Sequence, residues 1–130
     1  MLIKIDFKAD TPLYEQLRLQ IIEGIARGLL KGGDDLPSVR QLAGDLGINL
    51  HTVNKAYGLL KAGGFIQVHR QKGVMVSPAP GPGSTKAYLT LLKKQLRPLA
   101  VEAYCRGMQK QELHSIIDAV FKSLQKNTEE

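Results

Sequence analysis

Residues 36–76, LPSVRQLAGDLGINLHTVNKAYGLLKAGGFIQVHRQKGVMV, constrain the fold more tightly than any other stretch of this chain. Val39, Leu42, Ala43 and Leu46 recur at i, i+3, i+4, i+7, and Val53, Ala56, Tyr57 and Leu60 repeat the pattern. Two short helices, each with one buried face, are therefore expected. Ser38 and Gln41 have the spacing of a capping box, and Pro37 stops the first helix from extending backwards. Gly47 suits the left-handed residue that ends a helix, and Asn49 is a good N-cap for the next. So few residues between the helices force a sharp crossing. Ile66-Gln67-Val68 and Val74-Met75-Val76 then read as strands around a basic turn, His69-Arg70-Gln71-Lys72-Gly73. Helix, tight turn, helix and hairpin is the order of a winged helix-turn-helix, which lays its second helix in the DNA major groove.

The flanking segments extend this outline. Ile3, Ile5 and Phe7 alternate with Lys4 and Asp6, which predicts a short half-buried strand. Pro12 suits the first turn of a helix to about Arg27, with Leu17, Ile21 and Ile25 inward and Gly28 near its end. Residues 77–84, SPAPGPGS, cannot form helix or central strand and read as a semi-rigid connector. Beyond them Tyr88, Leu92, Leu96, Leu99 and Ala103 recur at helical spacing. Leu113, Ile116, Ile117, Val120, Phe121 and Leu124 do so more cleanly, with Gly107 between the runs. A helical hairpin is expected, with a kink or interruption at Pro98. The fold class is thus mainly α with a small β-wing (α+β). A winged helix-turn-helix over residues 1–77 is followed by a Pro/Gly linker over 78–84 and a two-helix tail over 85–130.

Charge narrows the function. The chain of 130 residues carries a net charge of +6. Residues 36–76 contribute Arg40, Lys55, Lys61, Arg70 and Lys72 against Asp45 alone, whereas residues 1–35 are nearly balanced. Basic side chains concentrated where a winged helix meets phosphate fit DNA better than a generic solvated surface. Other classes find no support. His51, His69, His114 and Cys105 lack the paired spacings of a metal site. Ser38 and Ser115 match no nucleophile motif, and the glycines sit at turns rather than in a phosphate loop. Neither enzyme activity nor a cofactor is expected. No apolar run reaches the roughly 20 residues that span a bilayer, and the N-terminus has no signal-peptide pattern. With a single cysteine, Cys105, a reducing cytoplasm is the expected compartment. Cys105 itself should pack at the hairpin, a redox-sensing role being the alternative.

The wording of several segments closely resembles the DNA-binding domain of GntR-type bacterial transcription regulators. The likeness lies in Leu36-Pro37-Ser38-Val39-Arg40-Gln41-Leu42-Ala43, Leu46-Gly47-Ile48, Thr52-Val53-Asn54-Lys55-Ala56-Tyr57 and the Gly-Phe-Ile run from Gly64. Upstream, Thr11-Pro12-Leu13-Tyr14-Glu15-Gln16-Leu17 looks like the entry to the first helix of that domain. The short two-helix extension is similar to the YtrA-like subfamily, and the resemblance implies that the tail dimerises. It further implies a repressor, with its own operon and a neighbouring transporter among its targets. This chain departs from the family at Gln71, where a Gly is usual, at Val74, where a Thr is usual, and at Leu50, usually polar. Gln109 stands where such tails often have a Ser or Thr cap.

With Val53, Ala56, Tyr57 and Leu60 inward, His51, Lys55 and Gly58 point outward and Thr52 and Asn54 lie on the flanks. His51 and Asn54 can hydrogen-bond base edges, Asn matching adenine N6/N7. Thr52 and Lys55 are placed for phosphate, and Gly58 lets the duplex come close. Leu50 can touch a thymine methyl or pack locally. Arg40, beside the groove-facing helix, is a candidate phosphate or base contact. Ser38 and Asn49 complete the helical set, and His69, Arg70, Gln71, Lys72 and Gly73 form a wing aimed at a narrow minor groove. The expected partners are double-stranded operator DNA and a second copy of the chain, with no membrane; no pattern identifies a small-molecule effector. For the tail, folding back onto its own DNA-binding domain is the alternative to a dimer built on one isologous contact. For the whole chain, a nucleoid-type or protein-interaction module without a specific operator is the alternative to a sequence-specific regulator.

Overall fold

In a computed structural model describing residues 2–79 and 83–125, the chain order is α1 (Leu13–Ala26), β1 (Asp35–Leu36), α2 (Val39–Leu46), α3 (Leu50–Ala62), β2 (Ile66–His69), β3 (Gly73–Val76), α4 (Lys86–Cys105) and α5 (Lys110–Gln125). The fold is mainly α with a small antiparallel sheet. Leu17 and Ile21, one helical turn apart on α1, are fully buried, as are Val53 and Leu60 on α3. Leu42 and Ala43 of α2, Ile66 of β2, and Val74 and Val76 of β3 close the same core. Each such fully buried aliphatic side chain stabilises the fold by about 1.5–3 kcal/mol. Tyr57 adds a polar tie, its buried hydroxyl donating to the Pro37 carbonyl at 2.8 Å. Burial pushes that phenol up to about 12.

The sheet has the order β1-β3-β2, so the last strand is central. Asp35 and Leu36 pair with Met75 and Val74, and Ile66 to His69 pair with Val76 to Gly73. The third strand is absent from the sequence reading because two residues carry no usable alternation. It is fixed from outside itself, by Gly33 N–H on Val76 O at 2.9 Å and Val76 N–H on Asp34 O at 2.8 Å. Gly32 next to it runs so close to the backbone of Ser77 and Pro78 that a Cβ there would collide with the Pro78 carbonyl.

The strand expected over Ile3–Phe7 does not form. Ile3 and Ile5 are half-buried, as alternation requires, but no strand edge faces them and Phe7 is 64% exposed. Two glutamines of α1 take the role of a neighbouring strand. Lys4 N–H donates to Gln20 Oε1 at 3.0 Å while Gln20 Nε2 donates back to Lys4 O at 2.6 Å. Gln16 brackets Asp6 in the same way, at 2.9 Å in both directions. A side-chain amide offers the same donor and acceptor as a peptide group, so the backbone groups of Lys4 and Asp6 are satisfied without a ladder.

The chain divides into two units, Met1–Pro82 and Gly83–Glu130. In the second, α4 starts at Thr85, whose hydroxyl accepts the Tyr88 N–H at 3.1 Å, and runs unbroken through Pro98. The interruption considered at Pro98 therefore does not occur. The start of α5 is specified differently from a Ser or Thr cap: Glu112 reaches back to accept the Gln109 N–H at 2.8 Å, one half of a capping box. A tight turn with Gly107 at φ 80° separates the helices, as the spacing predicts. Neither helix buries a residue, however. Cys105, expected to pack at the hairpin, is exposed, because α4 and α5 do not pack closely on each other. Residues 80–82 of the connector and 126–130 of the tail lie outside the described residues.

Candidate nucleic-acid interface

The local chemistry of α2 and α3 presents one helix face to solvent. Ser38 Oγ accepts the Gln41 N–H at 3.1 Å and so caps α2. Gly47 ends that helix at φ 67°, a left-handed conformation in which a side chain would be strained. Asn49 Oδ1 then accepts the His51 N–H at 2.7 Å and caps α3, which starts three residues after Gly47. Val53, Ala56, Tyr57 and Leu60 are buried. The opposite face holds Leu50, His51, Asn54, Lys55 and Gly58, all exposed, with Thr52 half-buried between the faces. A Cβ added at Gly58 would meet nothing within 4 Å. The N-terminal end of α3 carries the positive pole of the helix dipole, which favours phosphate.

Asn49, His51, Thr52 and Lys55 line one open depression together with Leu13 and Tyr14 at the start of α1. Lys55 Nζ sits over the Tyr14 ring, 4.0 Å from its centroid. The sequence reading missed this α1 contribution; Tyr14 entered only as part of a family-like string, and no periodicity pairs it with Lys55. Arg40 is exposed in the first turn of α2. The Ser38 hydroxyl is engaged as a cap, which leaves it fewer bonds to offer a partner, whereas the amide NH2 of Asn49 stays available beyond its capping bond.

The wing is narrower than the sequence suggested, because His69 and Gly73 pair as the last rung of the β2–β3 ladder. Arg70, Gln71 and Lys72 form the exposed turn. Gly73 takes φ 80°, and no non-glycine residue among those described has a positive φ. Gln71 therefore needs no left-handed conformation, and its departure from Gly is accommodated in the turn. Val74, buried at the base, fastens the hairpin to the core. His69 Nε2 lies 2.9 Å from Gln67 Oε1, which orients the imidazole along the strand.

Similarity to known proteins bears directly on this surface. The family model for bacterial regulatory proteins of the gntR family matches residues 13–76. Over 119 residues, 92% of each protein, the chain is 36% identical to the HTH-type transcriptional repressor YtrA of Bacillus subtilis (strain 168). The chain belongs to the GntR family. Among solved structures, this GntR-family fold is similar to a transcriptional antiterminator from Listeria monocytogenes EGD-e, with a TM-score of 0.86 at 26% identity, covering 95% of this chain and 92% of the other. It is also similar to YtrA from Sulfolobus acidocaldarius, a GntR-family transcription factor. That pair is 40% identical, with a TM-score of 0.56 over 93% and 97% of the chains. The GntR-family protein described here is accordingly a DNA-binding transcriptional regulator and not an enzyme. Among its described residues no cluster of His, Cys, Asp or Glu could hold a metal, and no helix is long and apolar enough to cross a membrane.

The tail residues singled out from spacing share the second unit. Tyr88, Leu92, Leu96 and Leu99 of α4 and Ile116, Ile117, Val120 and Phe121 of α5 are all exposed, Leu99 to 66% and Phe121 to 63%. Ala103, Leu113 and Leu124 are half-buried.

Proposed function

We propose that this GntR-family regulator is a homodimeric repressor that binds an inverted-repeat operator, each subunit placing its α3 in one major groove. The observation that carries the reading is the bare apolar stripe on α4 and α5 in a chain that resembles a repressor along nearly its whole length. Apolar side chains at helical spacing, left uncovered over two helices, are well suited to an isologous contact that buries both copies at once. Two-fold symmetry in the protein then demands two-fold symmetry in the operator. Asn54 and His51 read base edges, Thr52, Lys55 and Arg40 hold phosphates, and Arg70 and Lys72 carry the wing to the minor groove. Domain boundaries follow the same logic, with residues 1–77 binding DNA, 78–84 linking and 85–130 dimerising. Its own operon and an adjacent transporter operon are the proposed targets, an expectation supported by the likeness to YtrA-type regulators. Selection of bound genomic fragments followed by footprinting tests the reading. A single protected inverted repeat, occupied by two subunits, is the expected result; continuous, length-dependent protection would refute it.

A further inference from the structure

We propose that Tyr14 is a positioning residue for DNA binding: its ring holds the Lys55 ammonium at the entrance to α3, so that α1 contributes to the phosphate-binding face without touching a base. This rests on the assignment of α3 and Lys55 to the DNA surface. Tyr14 lies in the first turn of α1, half-buried and packed against the core, so one side of its ring is immobilised. Lys55 is exposed on α3, and its Nζ stands 4.0 Å from the centroid of that ring. Among the described residues, no carboxylate lies within ion-pair distance of Lys55.

That combination matters chemically. A carboxylate partner would hold the ammonium but neutralise it, and a phosphate would then have to displace the partner. The ring quadrupole attracts the cation while leaving its full charge and its outward N–H groups open. The long lysine stem otherwise spreads the charge over many rotamers, which DNA binding must freeze. Held over Tyr14, the ammonium already stands beside the depression lined by Asn49, His51 and Thr52, next to the positive end of α3. The core-packed ring thus prepays part of the ordering cost of one phosphate contact.

The test is a double-mutant cycle on the full chain. Affinity for a mixed-sequence DNA duplex is measured through a salt titration, for wild type, Tyr14→Leu, Tyr14→Phe, Lys55→Ala and the Tyr14→Leu/Lys55→Ala pair. Tyr14→Leu keeps an apolar side chain against the core but removes the quadrupole. It is expected to weaken binding about 2- to 5-fold, and Tyr14→Phe to stay near wild type. In the Lys55→Ala background Tyr14→Leu should have no further effect. An equal loss in both backgrounds, or a Tyr14→Phe variant as weak as Tyr14→Leu, would overturn the proposal. If Lys55→Ala leaves affinity and salt slope unchanged, the DNA role of Lys55 itself falls and this inference with it. A measurement on the free protein stands apart from any folding defect: the ε-methylene protons of Lys55 should show a ring-current upfield shift in wild type. Their absence from the shielded region sinks the proposal whatever the variants do.

Discussion

Asn54 and Lys55 are neighbours on the exposed face of α3, yet their losses should be of different kinds. Asn54→Ala is expected to cost about 1–3 kcal/mol on the cognate site and to relax preference at one base pair, because its amide matches an adenine edge. Lys55→Ala should weaken cognate and random duplexes alike and flatten the salt dependence by about one unit. Binding measured on both duplexes separates them; equal losses for Asn54→Ala would remove it from base reading. Tyr57 concerns stability instead. Tyr57→Phe frees the Pro37 carbonyl from its hydrogen bond, a loss of about 1 kcal/mol near neutral pH. The folded phenol titrates at about 12 rather than 10.0. The unfolded chain therefore releases this proton first as pH rises, and folding stability from Tyr57 is intact below pH 10.0 and fades toward 12. Denaturant melts across that window should show wild type losing its advantage over the variant. At this scale the sequence was legible wherever a residue acts on its near neighbours. Ser38, Gly47 and Asn49 do what their spacing predicts, because caps and left-handed turns are local chemistry. Tyr14 over Lys55 was illegible, since it depends on how α1 packs across α3.

Among the elements, the wing offers the cleanest separation of folding from binding. Arg70 and Lys72 are exposed on a turn whose fold depends on Gly73 and on Val74 beneath it. Replacing both cations with Ala should leave the folding stability nearly unchanged, within about 0.5 kcal/mol by denaturant melt. Salt titration of operator binding should nonetheless lose up to roughly two units of slope. Arg70 should contribute more than Lys72, because a guanidinium is less strongly hydrated on entering a groove. An unchanged slope would mean that the wing stands clear of DNA. The helices were readable from period alone, being long enough to repeat their apolar pattern. Strands were readable only when a turn marked them. Asp35–Leu36 escaped notice because its pairing is dictated by β3, far along the chain. Conversely, the alternation at Ile3–Phe7 was real, but Gln16 and Gln20 satisfy that backbone, and nothing in a periodic pattern announces a side chain standing in for a strand.

For the whole molecule, the proposed division of labour makes the tail separable. A chain truncated after Ser77 should remain folded, since the core lies upstream and the buried Ser77 still donates its N–H to Phe65 O. It should sediment as a monomer and lose about 10²- to 10⁴-fold in operator affinity as the two half-sites become independent. A truncated dimer with full affinity would assign dimerisation elsewhere. The amphipathic spacing of α4 and α5 was visible in sequence, but which surface covers it was not, because an apolar stripe specifies burial and not the partner. One residue on the proposed DNA face of α3 bears on folding and binding at once. Gly58 occupies a helix interior with free space around it, so Gly58→Ala should stabilise the fold by about 0.5–1 kcal/mol. If the added methyl group also holds the duplex away, heat resistance and operator occupancy change in opposite directions at a single codon. Laboratory selection for thermostability alone would then drift toward Ala at this position and silence the regulator.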